Sequence, residues 1–481
     1  MASALKNTFY YTIGSLVKAT TSFLLLPLFA NILGAEQYGI LNLLQTFSSV
    51  LGVLMTFAIE RSLFRLYYDY KTEDDRICFL STVFWAITII STAVVLMTIF
   101  TGGYIVSYLG NVDVVKVLQP TVLYTFIFAL INYSQILMQV EQKGLMFLRV
   151  SILLLAAYNI LSLIFLLYFS RTVESLVCAN LAANLIVLPF AYKYIKKYIK
   201  FRFDYLKFKA IFKFSLPMFV AVVFSWVINM TDRFFIANLT NLSDAGIYSL
   251  ASKFTQLAVL LCGAIFQSYG PMFYNFANSK PYKDACNKLM PLNRLVTLFV
   301  CLIYFLIVAF SKPILNIFFS AEYSHSIRFV YLLSLSGIFV QQTGLLNMMV
   351  YQNKQTSIMS VIGILAGLLS MVFNVIFIPL YGSIAAGYVN LLVGFIIFII
   401  SYLIAKRNFF IPFGFVILIL SVFCIILCAV VDFILLENLS NIIVKTGLIV
   451  IYFFLLCKFK LIPVAELEPI WAKMKTKMLI Q

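Results

Sequence analysis

"LPLFANILGAEQYGILNLLQ", residues 26–45, decides how this chain is read. Two apolar runs meet across six small or polar residues, Gly34–Gly39, which carry a single charge, Glu36. Crossing a bilayer takes about 20 mostly apolar residues in a helix. So short a polar break between two long apolar runs reads as the loop of a helical hairpin at one membrane face. Gly34 and Gly39 supply the positive φ angles that a helix stop and a tight turn require.

The whole composition agrees. Of 481 residues, 63% are hydrophobic and 11% charged, and the mean hydropathy is +1.01. A soluble domain carries about 25% charged residues, so this chain lacks the polar surface for water. Long apolar runs favour helices over a barrel, whose strands would alternate polar and apolar residues. The expected fold class is all-α, polytopic, with fourteen spans at about 9–33, 40–59, 77–101, 117–139, 145–169, 173–192, 212–238, 246–270, 292–310, 327–350, 357–379, 384–405, 412–436 and 440–462. The first run is too long for a signal peptide, contains Lys18 and precedes no small-residue cleavage site, so it is expected to be retained.

The net charge of +17 sits mostly in the loops. This favours topology and anionic lipid as its explanation over nucleic acid. With the N-terminus inside, the inner segments hold 27 Lys and Arg, and the outer ones hold only Lys116, Arg171, Lys312 and Arg328. That asymmetry requires an even number of spans and both termini in the cytoplasm. The largest inner loop, "YKYIKKYIKFRFDYLKFKAIFK" (192–213), alternates basic and aromatic residues. It suits an anchor on anionic headgroups or a site for a partner.

A second stretch, "FFIANLTNLSDAGIYSLASK" (234–253), repeats the first at an offset of 207 residues. Ala30-Asn31 falls on Ala237-Asn238, Gly39-Ile40 on Gly246-Ile247, Leu43 on Leu250, Phe47 on Phe254 and Tyr67 on Tyr274. Six spans separate the copies, so the repeat is parallel, about an axis along the membrane normal. Such halves pack as two bundles and rock around a substrate path between them. Pro27 and Pro217, each able to kink its span, do not align at this offset.

"LPLFANILGAEQYGILNLLQTFSSVL" and "MTDRFFIANLTNLSDAGIYSLASKF" resemble the two hairpins of bacterial polysaccharide flippases. These form the Wzx-type family of the multidrug/oligosaccharidyl-lipid/polysaccharide exporter superfamily. The resemblance implies two pseudo-symmetric six-helix lobes, 1–200 and 201–408, two appended helices within 409–463, and a cytoplasmic tail, 464–481. It also implies a plasma-membrane protein that moves undecaprenyl-diphosphate-linked sugar repeat units from the inner to the outer leaflet for surface polysaccharide. A proton or sodium ion is the implied coupling partner, and a monomer the favoured state.

Ionisable residues at bilayer depth tend to face a cavity or a partner. Lys18 lies near the midplane of the first span. Arg61 and Arg149 lie near the inner face, where snorkelling also accounts for them. Arg233 and Lys253 lie near the outer ends of the seventh and eighth spans. These five are the candidate substrate-binding residues, their sign suiting a lipid diphosphate. Asp232 is the candidate ion-coupling residue, although a structural pair with Lys253 explains it as well. Glu60 beside Arg61 reads as its neutraliser. Polar residues inside spans, among them Gln45, Asn132, Gln135 and Asn390, suit a wet cavity or simple helix–helix hydrogen bonds.

No catalytic constellation is present. There is no nucleotide-binding P-loop, none of the eight cysteines forms a CxxC pair, and the lone His325 has no metal-binding companions. No cofactor or metal is expected. A membrane glycosyltransferase would need carboxylates in a sizeable outer loop, and the largest, 311–326, offers only Glu322 and His325. Two rivals within the superfamily stay open: a flippase for the lipid-linked peptidoglycan precursor, and a cation-coupled multidrug exporter.

Overall fold

A computed structural model describes residues 20–108, 117–279, 282–352, 356–407, 409–434 and 438–458, with Tyr10, Gly14 and Val17. The described chain is helical and contains no strand. It divides into two compact units, Met1–Gly246 and Ile247–Gln481. The first unit holds α1 (Leu26–Thr56), α2 (Glu73–Tyr108), α3 (Gln119–Val140), α4 (Gly144–Tyr168), α5 (Val173–Ile195) and α6 (Tyr205–Leu239). It also takes the first turn of α7 (Leu242–Ser279). The second unit holds the rest of α7, then α8 (Tyr282–Phe318), α9 (Ser326–Gln352), α10 (Thr356–Tyr381), α11 (Ile384–Arg407), α12 (Phe415–Ile434) and α13 (Asn438–Lys458).

Eleven helices among the described residues are long and apolar enough to cross a membrane. The protein is therefore a multi-pass membrane protein. Two more long helices, α6 and α13, occupy the seventh and fourteenth expected spans. Of the first expected span, 9–33, little before residue 20 is described.

The helices overrun the spans read from the sequence. At 1.5 Å per residue, a helix of the 37 residues of α8 is about 55 Å long, well beyond a hydrocarbon core of about 30 Å. Hydropathy stops at the first charges, but the hydrogen-bonded helix need not. Lys283, Asp284 and Lys288 accordingly lie on α8 itself. The basic loop is shortened in the same way. α5 runs to Ile195 and α6 begins at Tyr205, leaving 196–204 as the connection. Asp204 sets the start of α6, its carboxylate accepting from the N–H groups of Leu206 (2.9 Å) and Lys207 (3.1 Å).

The opening stretch folds differently from the six-residue loop that it suggests. Gly34 alone leaves helical geometry, at φ 73°, ψ 169°, and residues 35–39 already belong to the second helical segment. One glycine suffices because it takes a backbone conformation closed to other residues. Gly39 is helical and serves packing instead. A Cβ on it would lie 2.0 Å from the carbonyl oxygen of Leu242, and a Cβ on Gly246 would lie 2.1 Å from that of Ala35. Pro27 acts as expected, the helix being interrupted at Leu25 just before it. Pro217 lies inside α6, which continues through it.

Each unit has its own apolar core. Ile59, Leu63, Phe79, Tyr133 and Leu137 centre the first, and Phe273, Tyr304, Phe305, Leu345 and Tyr452 the second. Some positions 207 residues apart are buried alike: Leu43 and Leu250 are both fully buried, and Ile40 and Ile247 are 9% and 8% exposed. Others differ: Ala30 and Tyr67 are buried where Ala237 and Tyr274 are half-buried, and Phe254 is buried where Phe47 is half-buried.

Candidate functional site

A diphosphate or sugar headgroup needs a polar cavity within the helices. The first unit has one, of about 350 Å³. The second half of α1 supplies Gln45, Ser48, Ser49 and Thr56 to it. The turn that follows supplies Glu60 and Arg61, and α3 supplies Thr125 and Asn132. Helical spacing places Gln45, Ser48, Ser49 and Gly52 along one face of α1, at i, i+3, i+4 and i+7.

Inter-helix hydrogen bonds hold these walls together. Ser48 and Thr125 pair through their hydroxyls at 2.7 Å, and Trp226 of α6 donates from Nε1 to Ser49 Oγ at 2.8 Å. In the low-dielectric interior of a membrane protein, satisfied pairs of this kind fix helix register.

The end of α1 is unusual. Phe57 and Ala58 both adopt left-handed backbone angles, φ 49° and 53°, and a single 3₁₀ turn, Ile59–Ser62, follows. Non-glycine residues pay of order 1–3 kcal/mol for such angles, and they persist only where the surroundings impose them. Here the Phe57 ring stacks on Phe219 (centroids 4.0 Å apart) and on Phe212 (5.1 Å), both on α6. Ser91 of α2 donates to the Met55 carbonyl at 3.0 Å, satisfying one acceptor of the frayed helix end. This reversal turns Glu60 inward, where it is buried, while Arg61 is exposed at the pocket. Burial is the largest influence on the Glu60 carboxyl and raises its pKa above the usual carboxylate value. Its own N–H, the Thr56 hydroxyl and the Arg61 charge act the other way and do not cancel the rise.

Of the described residues expected to bind substrate, Arg61 alone is placed at this cavity. Lys18 lies outside the described residues. Arg149 is exposed on α4, and Arg233 is buried on α6 within electrostatic reach of Tyr38 on α1. Asp232 is buried next to Arg233 in the first unit, and Lys253 is half-buried on α7 in the second. Gln45 and Asn132 line the cavity. Other polar residues of the spans tie helices instead: Gln135 donates to Ser151 at 3.1 Å, and Asn390 donates to Tyr248 at 3.0 Å.

Sequence reasoning missed two features. Glu60, set aside as a neutraliser, is a buried carboxylate at the polar cavity. Asp432, on α12, takes the Lys445 ammonium at 2.6 Å and the Lys312 ammonium at 3.7 Å, while Lys312 also donates to the Asp432 carbonyl at 2.9 Å. The available signal was the 13-residue interval between Asp432 and Lys445, which puts them on consecutive helices. A second cavity, of about 770 Å³, lies among α9, α10 and α11. Phe339, Phe377, Tyr381, Tyr388 and Phe395 line it without a charged residue, so it offers nothing to a phosphate. Among the described residues no group of His, Cys, Asp or Glu is placed to hold a metal ion.

Comparison with known proteins gives a consistent picture. A family model described as "Polysaccharide biosynthesis protein" matches residues 28–328. A Haemophilus influenzae protein of the Lsg locus is 23% identical over 57% of this chain and 67% of its own length. A Shigella flexneri protein named as an O-antigen transporter is 25% identical over 67% of this chain and 78% of its own. Among solved structures, the lipid II flippase MurJ in an inward closed conformation superposes with a TM-score of 0.72 at 17% identity. The match covers 95% of this chain and 98% of that one.

Proposed function

The chain belongs to the polysaccharide biosynthesis protein family, and from that premise we propose that it flips an undecaprenyl-diphosphate-linked oligosaccharide from the inner to the outer leaflet of the plasma membrane, for surface polysaccharide. The observation that carries this reading is the polar cavity of the first unit, lined by hydroxyls, amides and Arg61 inside a bundle of apolar helices. Hydroxyls and amides suit sugars, and a guanidinium suits a phosphate through paired N–H donors. Alternating access would come from the rocking of two lobes, 1–200 and 201–408, about the path between them. Lys18 is the second candidate for the diphosphate and Asp232 a candidate for coupling to a proton or sodium ion. Both termini would lie in the cytoplasm, with the exposed lysines of 193–200 on anionic headgroups.

Deleting the gene and restoring variants tests the reading. Deletion should abolish surface glycan and trap lipid-linked repeat units at the inner leaflet. Arg61→Lys should restore part of the display and Arg61→Glu almost none, at equal protein levels in the membrane. Full display from Arg61→Glu would remove Arg61 from the cargo path. The MurJ-like fold favours one second reading, a flippase for the peptidoglycan precursor. Depletion would then stop wall synthesis and growth instead of stripping surface glycan.

A further inference from the structure

We propose that Ser48, Ser49 and Glu60 form an acceptor wall in the polar cavity, which selects a cargo sugar by its unsubstituted hydroxyl or amide N–H groups and rejects one whose hydroxyls are capped. The inference deepens the flippase reading by naming what the sugar must present, and it rests on that reading for the cargo alone. A hydroxyl carries one proton and two lone pairs, and a carbonyl can only accept. Ser49 Oγ lies 2.6 Å from the Thr46 carbonyl oxygen, so its proton is committed there. One of its lone pairs takes Trp226 Nε1, which can only donate, at 2.8 Å. Thr125 Oγ1 lies 2.7 Å from the Thr121 carbonyl oxygen, so its proton is committed as well. The 2.7 Å contact between Thr125 and Ser48 can therefore run in one sense only, with Ser48 donating. Both serines have spent their protons inside the protein, and each has lone pairs alone to offer the cavity that it lines.

Glu60 adds an independent sign of a missing donor. It is 9% exposed, and its Oε2 atom is buried without a hydrogen-bond partner among the described residues. A buried oxygen in that state gains from any donor brought to it. The donors of the cavity lie elsewhere. Arg61 supplies the charged one and is exposed, whereas Glu60 is buried. The amides of Gln45 and Asn132 can donate or accept, and the Thr56 hydroxyl is engaged with Glu60. A phosphate is thus confined to the side of Arg61, because lone pairs and a carboxyl repel it from the wall. What the wall can bind is a proton-bearing group, such as a sugar hydroxyl or the N–H of an N-acetyl group. A hydroxyl capped by methyl or acetyl sets oxygen against oxygen with no proton between them. Such a mismatch discriminates more sharply than a change of size does, since it leaves the polar groups of the site unpaired.

Saturation-transfer NMR on the purified full-length protein in nanodiscs tests the wall with methyl β-D-glucopyranoside and two sets of analogues. In one set each hydroxyl in turn is replaced by fluorine, which accepts weakly and cannot donate. In the other each is replaced by hydrogen. At an acceptor wall, at least one fluorinated sugar should bind about tenfold more weakly than the parent, the worth of one hydrogen bond. It should also bind no better than its deoxy counterpart, because fluorine meets lone pairs. At a donor wall the fluorinated sugar would bind better than the deoxy one, and that result overturns the proposal. So does a full set of fluorinated sugars that bind like the parent, or the absence of transfer to every sugar. These measurements on the unaltered protein decide the matter even if a variant fails to fold. The double variant Ser48→Ala with Ser49→Ala should bind the parent more weakly and lose most of the fluorine penalty. A penalty that survives in it intact overturns the assignment to these serines. The sugars carry neither phosphate nor lipid tail, so their binding is independent of the flippase reading. Glycan display that persists after deletion of the gene, with the fluorine penalty observed, would count against that reading alone.

Discussion

Asp432, Lys445 and Lys312 show what one residue can hold among apolar helices. Lys445 and Asp432 have side chains only 3% and 4% exposed, and their contact is 2.6 Å. A charge at the centre of a span costs about 2.5–3.5 kcal/mol on insertion scales, so such a pair persists only when each ion compensates the other. Asp432→Asn removes the carboxylate that both lysines approach, and a broken buried pair costs about 3–5 kcal/mol. The variant should lose most of its folded yield and thermal stability in detergent. Replacing the pair together, Asp432→Leu with Lys445→Met, should recover part of the loss, because a packed apolar pair needs no compensation while Lys312 keeps only the backbone carbonyl of residue 432. A double variant as unstable as Asp432→Asn would show that the charges serve more than each other. Asp432 was hard to see in the sequence. It stands close to the end of its span, where boundaries are uncertain by several residues, so its depth could not be fixed. Arg61 was easier, because its charge closes an apolar run. What no pattern announces is the left-handed pair Phe57 and Ala58, imposed by ring stacking from α6, a helix about 150 residues away in the chain.

At the scale of the element, the connection between α5 and α6 shows how a basic segment is used. The sequence suggests a headgroup anchor over 192–213, but part of that segment is committed to the protein itself. Tyr194 and Tyr198 donate to the two oxygens of Glu141, and Lys143 pairs with the same carboxylate at 2.8 Å. Arg202 reaches Asp74 at 2.8 Å, and the Lys200 carbonyl accepts from Trp85 Nε1 at 3.0 Å. Lys193, Lys196, Lys197 and Lys200 remain exposed, beside a Phe201 that is 95% exposed, so the outer side of the segment still suits an interface. Burial is the largest single influence on the Glu141 carboxyl and pushes its pKa up. Lys143 and the two tyrosine hydroxyls together outweigh that, and the pKa ends below the usual carboxylate value. A depressed carboxylate stabilises the fold above its unfolded pKa, of about 4.3, and that stabilisation is lost as pH falls through the folded value. The clamp should therefore be fully present at neutral pH and open only in strong acid. Glu141→Gln should open it at neutral pH, raising trypsin cleavage after Lys196, Lys197 and Lys200 several-fold. Cleavage unchanged in Glu141→Gln would show that Arg202, Trp85 and the helix ends hold the segment without the clamp.

At the scale of the whole molecule, the sequence repeat is the most legible feature, and its glycines are where the structure bears on it. An offset of 207 residues carries Ala35 to Leu242 and Gly39 to Gly246. The same four positions meet inside the first unit. Gly39 lies against Leu242, and Gly246 lies against Ala35, each approach ruling out a Cβ at its present distance. The glycines of the repeat are thus not two separate turn residues, as their position between apolar runs suggests. They are one reciprocal backbone contact made twice, as small residues allow in helix packing within membranes. A pattern of small residues marks such a site in a sequence but cannot tell a turn from a crossing, because both need the absence of a side chain. The two roles differ in mutation. A turn glycine replaced by alanine is strained on its own, and two such losses add. Here Gly39→Ala and Gly246→Ala should each destabilise the protein by a similar amount, since each thrusts a methyl onto the opposite backbone. Once the first methyl has pushed the two segments apart, the second finds room. The double variant should therefore lose clearly less stability than the two single losses added together, as expected for residues that share one contact. Thermal melting of the four proteins in detergent measures it. Strict additivity would mean that the glycines act independently, and the duplicated motif would then be a record of ancestry without a shared role in packing.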